Sequence, residues 1–343
     1  MNLKISSRGV NPPHVKPELN QAFFLGAGAS ISSGIPVTKQ FLPYLYSKKQ
    51  TNPRLLRLRQ FINEFFALDT VKYEYLPKFE QVLSLLDLAL LEDHEFSASY
   101  TRAQIGQLRS DMDYLIWKML EQSSRKGSTK VFEKFAALLE PRKHILFSLN
   151  YDTLLDHALL KIYKSLDYGV RFSEIHGHYP KTRKTDLDNK TPLYIKLHGS
   201  INWLQCPNCQ SFYCYQGAKE LSKVFDSKAE LCPHDNGYLR GIIVSPTWNK
   251  RYTSAPLSLL WIKASKYLRS IKRITFIGYS LSDVDMRVIY LLKRSIFNNP
   301  SNVKIRVVDP EPSGKIFKRY ERLFGPIEAI NSSFEEFVEK GQI

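Results

Sequence analysis

The sequence has few cysteines, no long apolar run and a shortage of acidic residues, and each lack narrows the field. No apolar stretch approaches the ~20 residues that cross a bilayer, so no membrane helix is expected. Residues 1–20 are polar, hold Pro12, Pro13 and Pro17, and lack the apolar core of a secretory signal. They read as an irregular arm, and a cytoplasmic, reducing location is expected. Only four cysteines occur in 343 residues. In such a compartment they read as metal ligands or thiols before disulfides. Glycine is nearly missing from residues 52–140, where Gly106 and Gly127 are the only two. No internal repeat or low-complexity tract is visible.

The acidic shortage is 33 Asp and Glu against 49 Lys and Arg, a net charge of +16. Such an excess concentrates nucleic acid, nucleotides and acidic protein surfaces around a protein, which admits nucleic acid as a partner. The densest basic run, Lys181 to Lys190, also carries Asp186 and Asp188, so it is no dedicated nucleic-acid arm. A 43% hydrophobic content is ordinary for a globular protein. The length suits one large domain with insertions, or two domains.

The glycine-poor segment carries apolar residues at helical spacing. Leu55, Leu58, Phe61, Ile62 and Phe65 form one stripe, Phe79, Val82, Leu83, Leu86 and Leu90 a second, and Leu108, Met112, Leu115 and Met119 a third. Three to five helices are expected over about 52–140, their stripes packing into a core. Around that insertion stand short apolar runs that read as buried strands: Ala22–Leu25, His144–Leu149, Leu193–Leu197, Ile242–Val244, Arg273–Ile277 and Val303–Val308. Helices are expected at Leu154–Tyr163, Pro256–Ile271 with Ser254 as cap, and Asp283–Phe297. Strands alternating with helices predict an α/β fold with a doubly wound parallel sheet. Ligands of such sheets lie beyond the carboxyl ends of the strands.

Those ends are where the polar and small residues fall. The first strand runs into Gly26-Ala27-Gly28-Ala29-Ser30, small enough for a backbone to approach a bulky anion. Its Gly-x-Gly-x5-Gly spacing, ending at Gly34, is not that of ordinary dinucleotide dehydrogenases. The second strand ends in Asn150-Tyr151-Asp152. An amide offers donor and acceptor together, enough to hold a carboxamide and a water, while Asp152 suits a ribose hydroxyl or caps the next helix. His198, Gly199 and Ser200 follow the third strand, and a histidine there serves as a general base near neutral pH. Gly278-Tyr279-Ser280 and Asp309 end two more strands, and Asp309 is placed for ribose hydroxyls.

Cys206-Pro207-Asn208-Cys209 is a Cys-x-x-Cys knuckle, and Cys232-Pro233-His234-Asp235 lies beyond it. Two such pairs build a tetrahedral structural zinc site. The second pair lacks its second cysteine. His234, Asp235 and Cys214 are candidates for the fourth ligand, and the preferred set is Cys206, Cys209, Cys232 and His234. The segment holds no glutamate beside a histidine pair, which argues against catalytic zinc.

These pieces together resemble the sirtuin superfamily. The matches are Gly26-Ala27-Gly28-Ala29-Ser30 with Gly34-Ile35-Pro36, Asn150-Tyr151-Asp152, Leu197-His198-Gly199-Ser200, the Cys206/Cys209 knuckle with Cys232, and Gly278-Tyr279-Ser280-Leu281. They follow the family's order over about residues 22–310. The resemblance implies a Rossmann-like domain, residues 21–343, with a helical insertion at about 52–140 and a small zinc-knuckle module at about 203–240. It implies that NAD binds with its pyrophosphate over Gly26, Ala27, Gly28 and Ser30 and its adenosine side near Ser280 and Asp309. Ile35, Pro36, Asp152 and Gly278 complete the implied NAD set. Asn150 would position the nicotinamide ribose and the attacking water, and His198 would be the general base.

Two stretches depart from protein-deacylating sirtuins. Those enzymes follow Gly-Ile-Pro with Phe-Arg-Ser, where this chain has Val37-Thr38-Lys39. Their substrate-binding Val-x-Phe-Gly-Glu appears here as Val244-Ser245-Pro246-Thr247-Trp248. The chain looks more like bacterial sirtuin-like NADases of antiphage defence systems. That resemblance implies hydrolysis of NAD to nicotinamide and ADP-ribose, and either a homo-oligomer or a defence partner such as a DNA-translocase ATPase or an Argonaute-like protein. An NAD-dependent deacylase and a non-catalytic NAD- or ADP-ribose-sensing module are the alternatives.

Overall fold

Phe23 and Phe24, adjacent in sequence, point to opposite sides of a central strand and account for both layers that cover it. The computed structural model describes residues 18–47, 51–66, 76–173, 190–215, 230–247, 254–311, 313–341 and 343. Most of the arm expected at 1–20, residues 181–189 of the basic run, Trp248, and residues 216–229 of the knuckle module lie outside the described residues.

Strand β1 (Gln21–Leu25) is fully buried and leads to α1 (Phe41–Ser47). The glycine-poor segment forms α2 (Pro53–Phe65), α3 (Phe79–Glu92), α4 (Arg102–Lys126) and α5 (Lys130–Ala137). Asn52 caps α2 by accepting the Arg54 N–H at 2.9 Å, with Pro53 in the first turn, where its missing N–H costs nothing. Then come β2 (His144–Ser148), α6 (Leu154–Tyr163), β3 (Leu193–Lys196), β4 (Gly199–Gln205), β5 (Phe212–Cys214) and β6 (Arg240–Ile243). The chain continues through α7 (Ala255–Leu268), β7 (Arg273–Ile277), α8 (Met286–Phe297), β8 (Lys304–Val308), α9 (Lys315–Phe324), β9 (Glu328–Ile330) and α10 (Phe334–Glu339).

Six parallel strands form the main sheet in the order β3-β2-β1-β7-β8-β9. Gln21 pairs with both His144 and Arg273, so the three central strands end level. Phe24 stacks on Phe147 at 4.6 Å and lies 5.2 Å from Phe276, which meets Tyr320 of α9 at 4.9 Å. On the other face Phe23 meets Phe135 of α5 edge-on at 5.3 Å. Burial on both faces is why these strands read as continuous apolar runs. Strand order reverses between β1 and β7, the position where doubly wound sheets open a crevice.

Three sequence expectations are corrected. Ile242–Val244 does not join the parallel sheet; β6 pairs antiparallel with β4, which also pairs with β5, in a separate three-stranded sheet. Gly199, at φ +78°, turns the chain away directly after β3, and its Cβ would fall 2.3 Å from the Ile242 carbonyl oxygen. The sixth parallel strand is instead β9, an edge strand too short and too exposed to leave an apolar signature. Between the glycine turn and α1 the chain runs through short 3-10 turns at Ala27–Ser30 and Thr38–Gln40. Helix α8 likewise starts after a 3-10 turn at Asp283–Asp285, and Ser254 makes no side-chain cap to α7.

The inserted helices share the core of the sheet domain. Trp117 of α4 is buried, donates its indole N–H to the Ile201 carbonyl at 3.0 Å and packs against Gly241. A Cβ at Gly241 would come within 2.5 Å of that ring. No helix among the described residues is long and apolar enough to cross a membrane.

Candidate functional site

The glycines of the first turn are explained first by chain meeting chain. Gly28 N–H donates to the Gly278 carbonyl at 2.8 Å, and a Cβ on Gly26 would stand 2.6 Å from that same oxygen. Gly278 is left-handed at φ +58°, and its own Cβ would meet the Ala29 nitrogen at 2.2 Å. The turns after β1 and β7 thus interlock at the switch point, and only glycine fits.

Above this joint lies a cavity of about 670 Å³, a volume typical of small-molecule sites. Gly26, Ala27, Gly28, Ile35, Pro36, Asn150, Asp152, His198, Gly278, Ser280 and Asp309 all line it. Ser30 is not in the lining. It stands behind it, donating to Asp152 Oδ2 at 3.0 Å and accepting from Asn150 Nδ2 at 3.2 Å. The other Asn150 amide proton goes to the Gly26 carbonyl at 2.9 Å. With both donors committed, Asn150 offers a ligand its Oδ1 acceptor.

Asp152 Oδ1 accepts the Leu154 N–H at 3.1 Å, so its side chain caps the first turn of α6. Burial pushes its carboxyl above the usual carboxylate range, against the pull of Lys196. His198 is 4% exposed, with Nε2 3.8 Å from Asp285 Oδ1 and its ring between those of Tyr151 and Trp261. Asp285 Oδ2 accepts the Tyr279 hydroxyl at 3.1 Å, which ties the His198 side of the cavity to the Gly278 turn. Asp309 accepts the Glu311 N–H at 2.9 Å, and half-burial raises its carboxyl.

The sequence reading missed Asp285 and Lys196. A lysine inside the apolar run Leu193–Leu197 was the available signal, since a lysine there must be buried and paired. Asp285 had a weaker one, an acidic pair at a helix start.

In the knuckle, the donor atoms of Cys206, Cys209, Cys232 and Asp235 lie within 4.8 Å of one another. Cys206 Sγ is 3.3 Å from each Asp235 oxygen, and Cys209 and Cys232 sulfurs are 3.5 Å apart. Tetrahedral zinc with bonds of about 2.3 Å to sulfur needs donors at about this separation, so three thiolates and a carboxylate fit the metal. His234 is exposed and stands outside the cluster. The second pair keeps the x-x spacing of the first, so the residue turned inward is Asp235, anchored by the Gly237 N–H at 2.9 Å. Cys214 is also elsewhere, buried with its sulfur 3.5 Å from Asn202 Nδ2.

Fold and cavity together define a doubly wound α/β protein with a polar-rimmed small-molecule site at its switch point. A family model described as a SIR2-like domain matches residues 144–323, just over half of the chain, and the chain belongs to that family. No curated protein matches it. Among solved structures, a Sir2 homologue in complex with NAD is 13% identical, with 94% of this chain and 87% of that chain covered and a TM-score of 0.49. A mutant Sir2 homologue in complex with ADP ribose is also 13% identical, with 94% and 90% covered and a TM-score of 0.48.

Proposed function

We propose that this protein is an NAD glycohydrolase, cleaving NAD to nicotinamide and ADP-ribose. NAD would lie across the strand ends, its pyrophosphate over Gly26–Gly28 and its adenosine side near Ser280 and Asp309. The bond from the ribose anomeric carbon to nicotinamide breaks, and its electron pair goes to the ring nitrogen, cancelling the positive charge. Water attacks the anomeric carbon. It donates one hydrogen bond to Asn150 Oδ1, which aims its lone pair, and loses a proton to His198.

The observation that carries the choice of hydrolase over deacylase is the state of Val244–Thr247. A peptide adding as a strand needs free backbone N–H and C=O groups. Val244 N–H already donates to the His198 carbonyl at 2.8 Å, and its own carbonyl accepts the Tyr151 hydroxyl at 2.6 Å. Ser245 is bonded to Asp113 and Arg109 of α4 at 2.9 and 3.0 Å. The Val244 backbone thus has no free group for a peptide strand to pair with, and α4 holds the neighbouring Ser245 side chain, which supports the hydrolase reading.

Purified protein incubated with NAD, alone and with its neighbouring gene products, is expected to release nicotinamide and ADP-ribose without any acyl-peptide, as read by chromatography. Turnover only with acyl-lysine peptide, giving acyl-ADP-ribose, would make it a deacylase. NAD binding without turnover under all conditions would make it a sensing module. We also propose, on the resemblance to bacterial sirtuin-like NADases, a role in antiphage defence; because unchecked cleavage of NAD is toxic, the activity would be gated by self-association or by a partner such as a DNA-translocase ATPase or an Argonaute-like protein.

The knuckle is proposed to hold one structural zinc through Cys206, Cys209, Cys232 and Asp235. Metal analysis should find about one zinc per chain, and Cys232→Ala should remove it and lower the melting temperature. Unchanged metal content in that variant would refute the site.

A further inference from the structure

Lys196 is fully buried, and its ammonium group has as many acceptors as it has protons. It donates to the Asp152 carbonyl at 2.6 Å, to Ser200 Oγ at 2.7 Å and to Asp156 Oδ2 at 3.1 Å. Asp156 is also buried, and its second oxygen takes the Tyr168 hydroxyl at 2.5 Å. A buried ion pair is a poor device for stability alone, because apolar groups of similar volume often do as well or better. What an apolar group cannot do is hold the carbonyl of Asp152.

That carbonyl belongs to the loop carrying Asn150. The neighbouring carbonyl, of Tyr151, accepts the Ile201 N–H at 3.0 Å and the Ser200 hydroxyl at 3.3 Å. The loop is therefore gripped from behind by β3 and β4. In front, the Asp152 carboxylate holds the Ser30 hydroxyl, and that oxygen receives the Asn150 amide. The series Asp156, Lys196, Asp152, Ser30, Asn150 is continuous, and it ends on the cavity-lining Asn150.

We propose that the Lys196–Asp156 pair is a positioning device that fixes the Asn150 loop for catalysis. Neither residue lines the cavity, so neither touches substrate. The proposal rests on the reading of Asn150 as the residue that aims water. Misplacing an aiming group by an ångström costs rate far more than it costs affinity.

The test replaces the Lys196, Asp156 and Tyr168 side chains by apolar residues, Lys196→Met with Asp156→Leu and Tyr168→Phe, so that neither member of the ion pair is left without the other. The triple variant is expected to fold with a melting temperature near that of wild type. Its kcat for NAD should fall about 10- to 100-fold while KM stays within about threefold, because the interlocked Gly26–Gly28 backbone is left in place. Amide hydrogen exchange over 150–155 should accelerate about tenfold or more, with β1 and β2 unchanged. A folded triple variant with wild-type kcat and wild-type exchange would overturn the proposal. If wild type does not cleave NAD, the reading of Asn150 fails, and exchange alone decides whether the pair fixes the loop. Should the triple variant not fold, Asp156→Asn supplies the same exchange measurement at smaller amplitude, about threefold, and unchanged exchange there overturns the proposal.

Discussion

Replacing Asn150 by alanine is expected to lower the rate of NAD cleavage by about 10²–10³-fold, with NAD affinity changed by no more than about threefold. The reason is the commitment of the side chain. Its two amide protons are used on Gly26 O and Ser30 Oγ, so the amide cannot turn, and Oδ1 is the acceptor that this cavity-lining residue keeps. Truncation removes the acceptor that aims water but leaves the backbone that would hold the pyrophosphate. The fold should survive. Two hydrogen bonds at a half-buried site are worth about 1 kcal/mol each, which for a domain of this size lowers the melting temperature by a few degrees. Calorimetric binding of ADP-ribose, together with steady-state kinetics, separates the two effects. Undiminished turnover by a folded Asn150→Ala protein would remove Asn150 from the mechanism.

The largest effect on stability is expected at Gly278. Any non-glycine residue there bears the left-handed penalty of roughly 1–2 kcal/mol. Its Cβ would also stand 2.2 Å from the Ala29 nitrogen and 2.5 Å from the Gly28 carbonyl carbon, both backbone atoms that cannot swing aside. Gly278→Ala should therefore cost more than about 4 kcal/mol, enough to lower the melting temperature by about 10 °C or to prevent folding. Gly314 is the internal control: it too is left-handed, at φ +67°, with nothing within 4 Å of its Cβ position. Gly314→Ala should cost only the conformational part, under about 2 kcal/mol. Equal melting temperatures for the two variants would show that the interlock of the two turns contributes nothing.

The parts of the site that were readable were those whose signal is local. Asn150, His198 and Gly278 each follow a short apolar run, and a parallel strand buried on both faces announces where it ends. What escaped depends on pairing across space. Ile242–Val244 is apolar enough for the central sheet, and nothing in those residues says that β4 claims them first. Glu328–Ile330 forms an edge strand with exposed residues, so its place is set by β8 rather than by its own composition. Asp235 and His234 are neighbours with similar metal chemistry, and only the turn at Gly237 decides which one faces the sulfurs. Lys196 was visible in an apolar run, but its partners come from α6, β4 and the Asn150 loop, all of which must be folded to be seen.

The interlocked glycine turns also set an order of assembly. Gln21 pairs with His144 on one side and with Arg273 on the other, so β1 is completed by strands made much later than itself. Contacts so distant in sequence close slowly, because the intervening chain must be ordered before they form. On the ribosome, β1 has no partner until the whole helical insertion has been synthesised, and no floor for the cavity until Gly278 has emerged. A nascent or truncated chain ending before that residue has the Asn150 loop and His198 but no joint beneath them. The floor of the cavity is therefore among the last parts of the site to be completed.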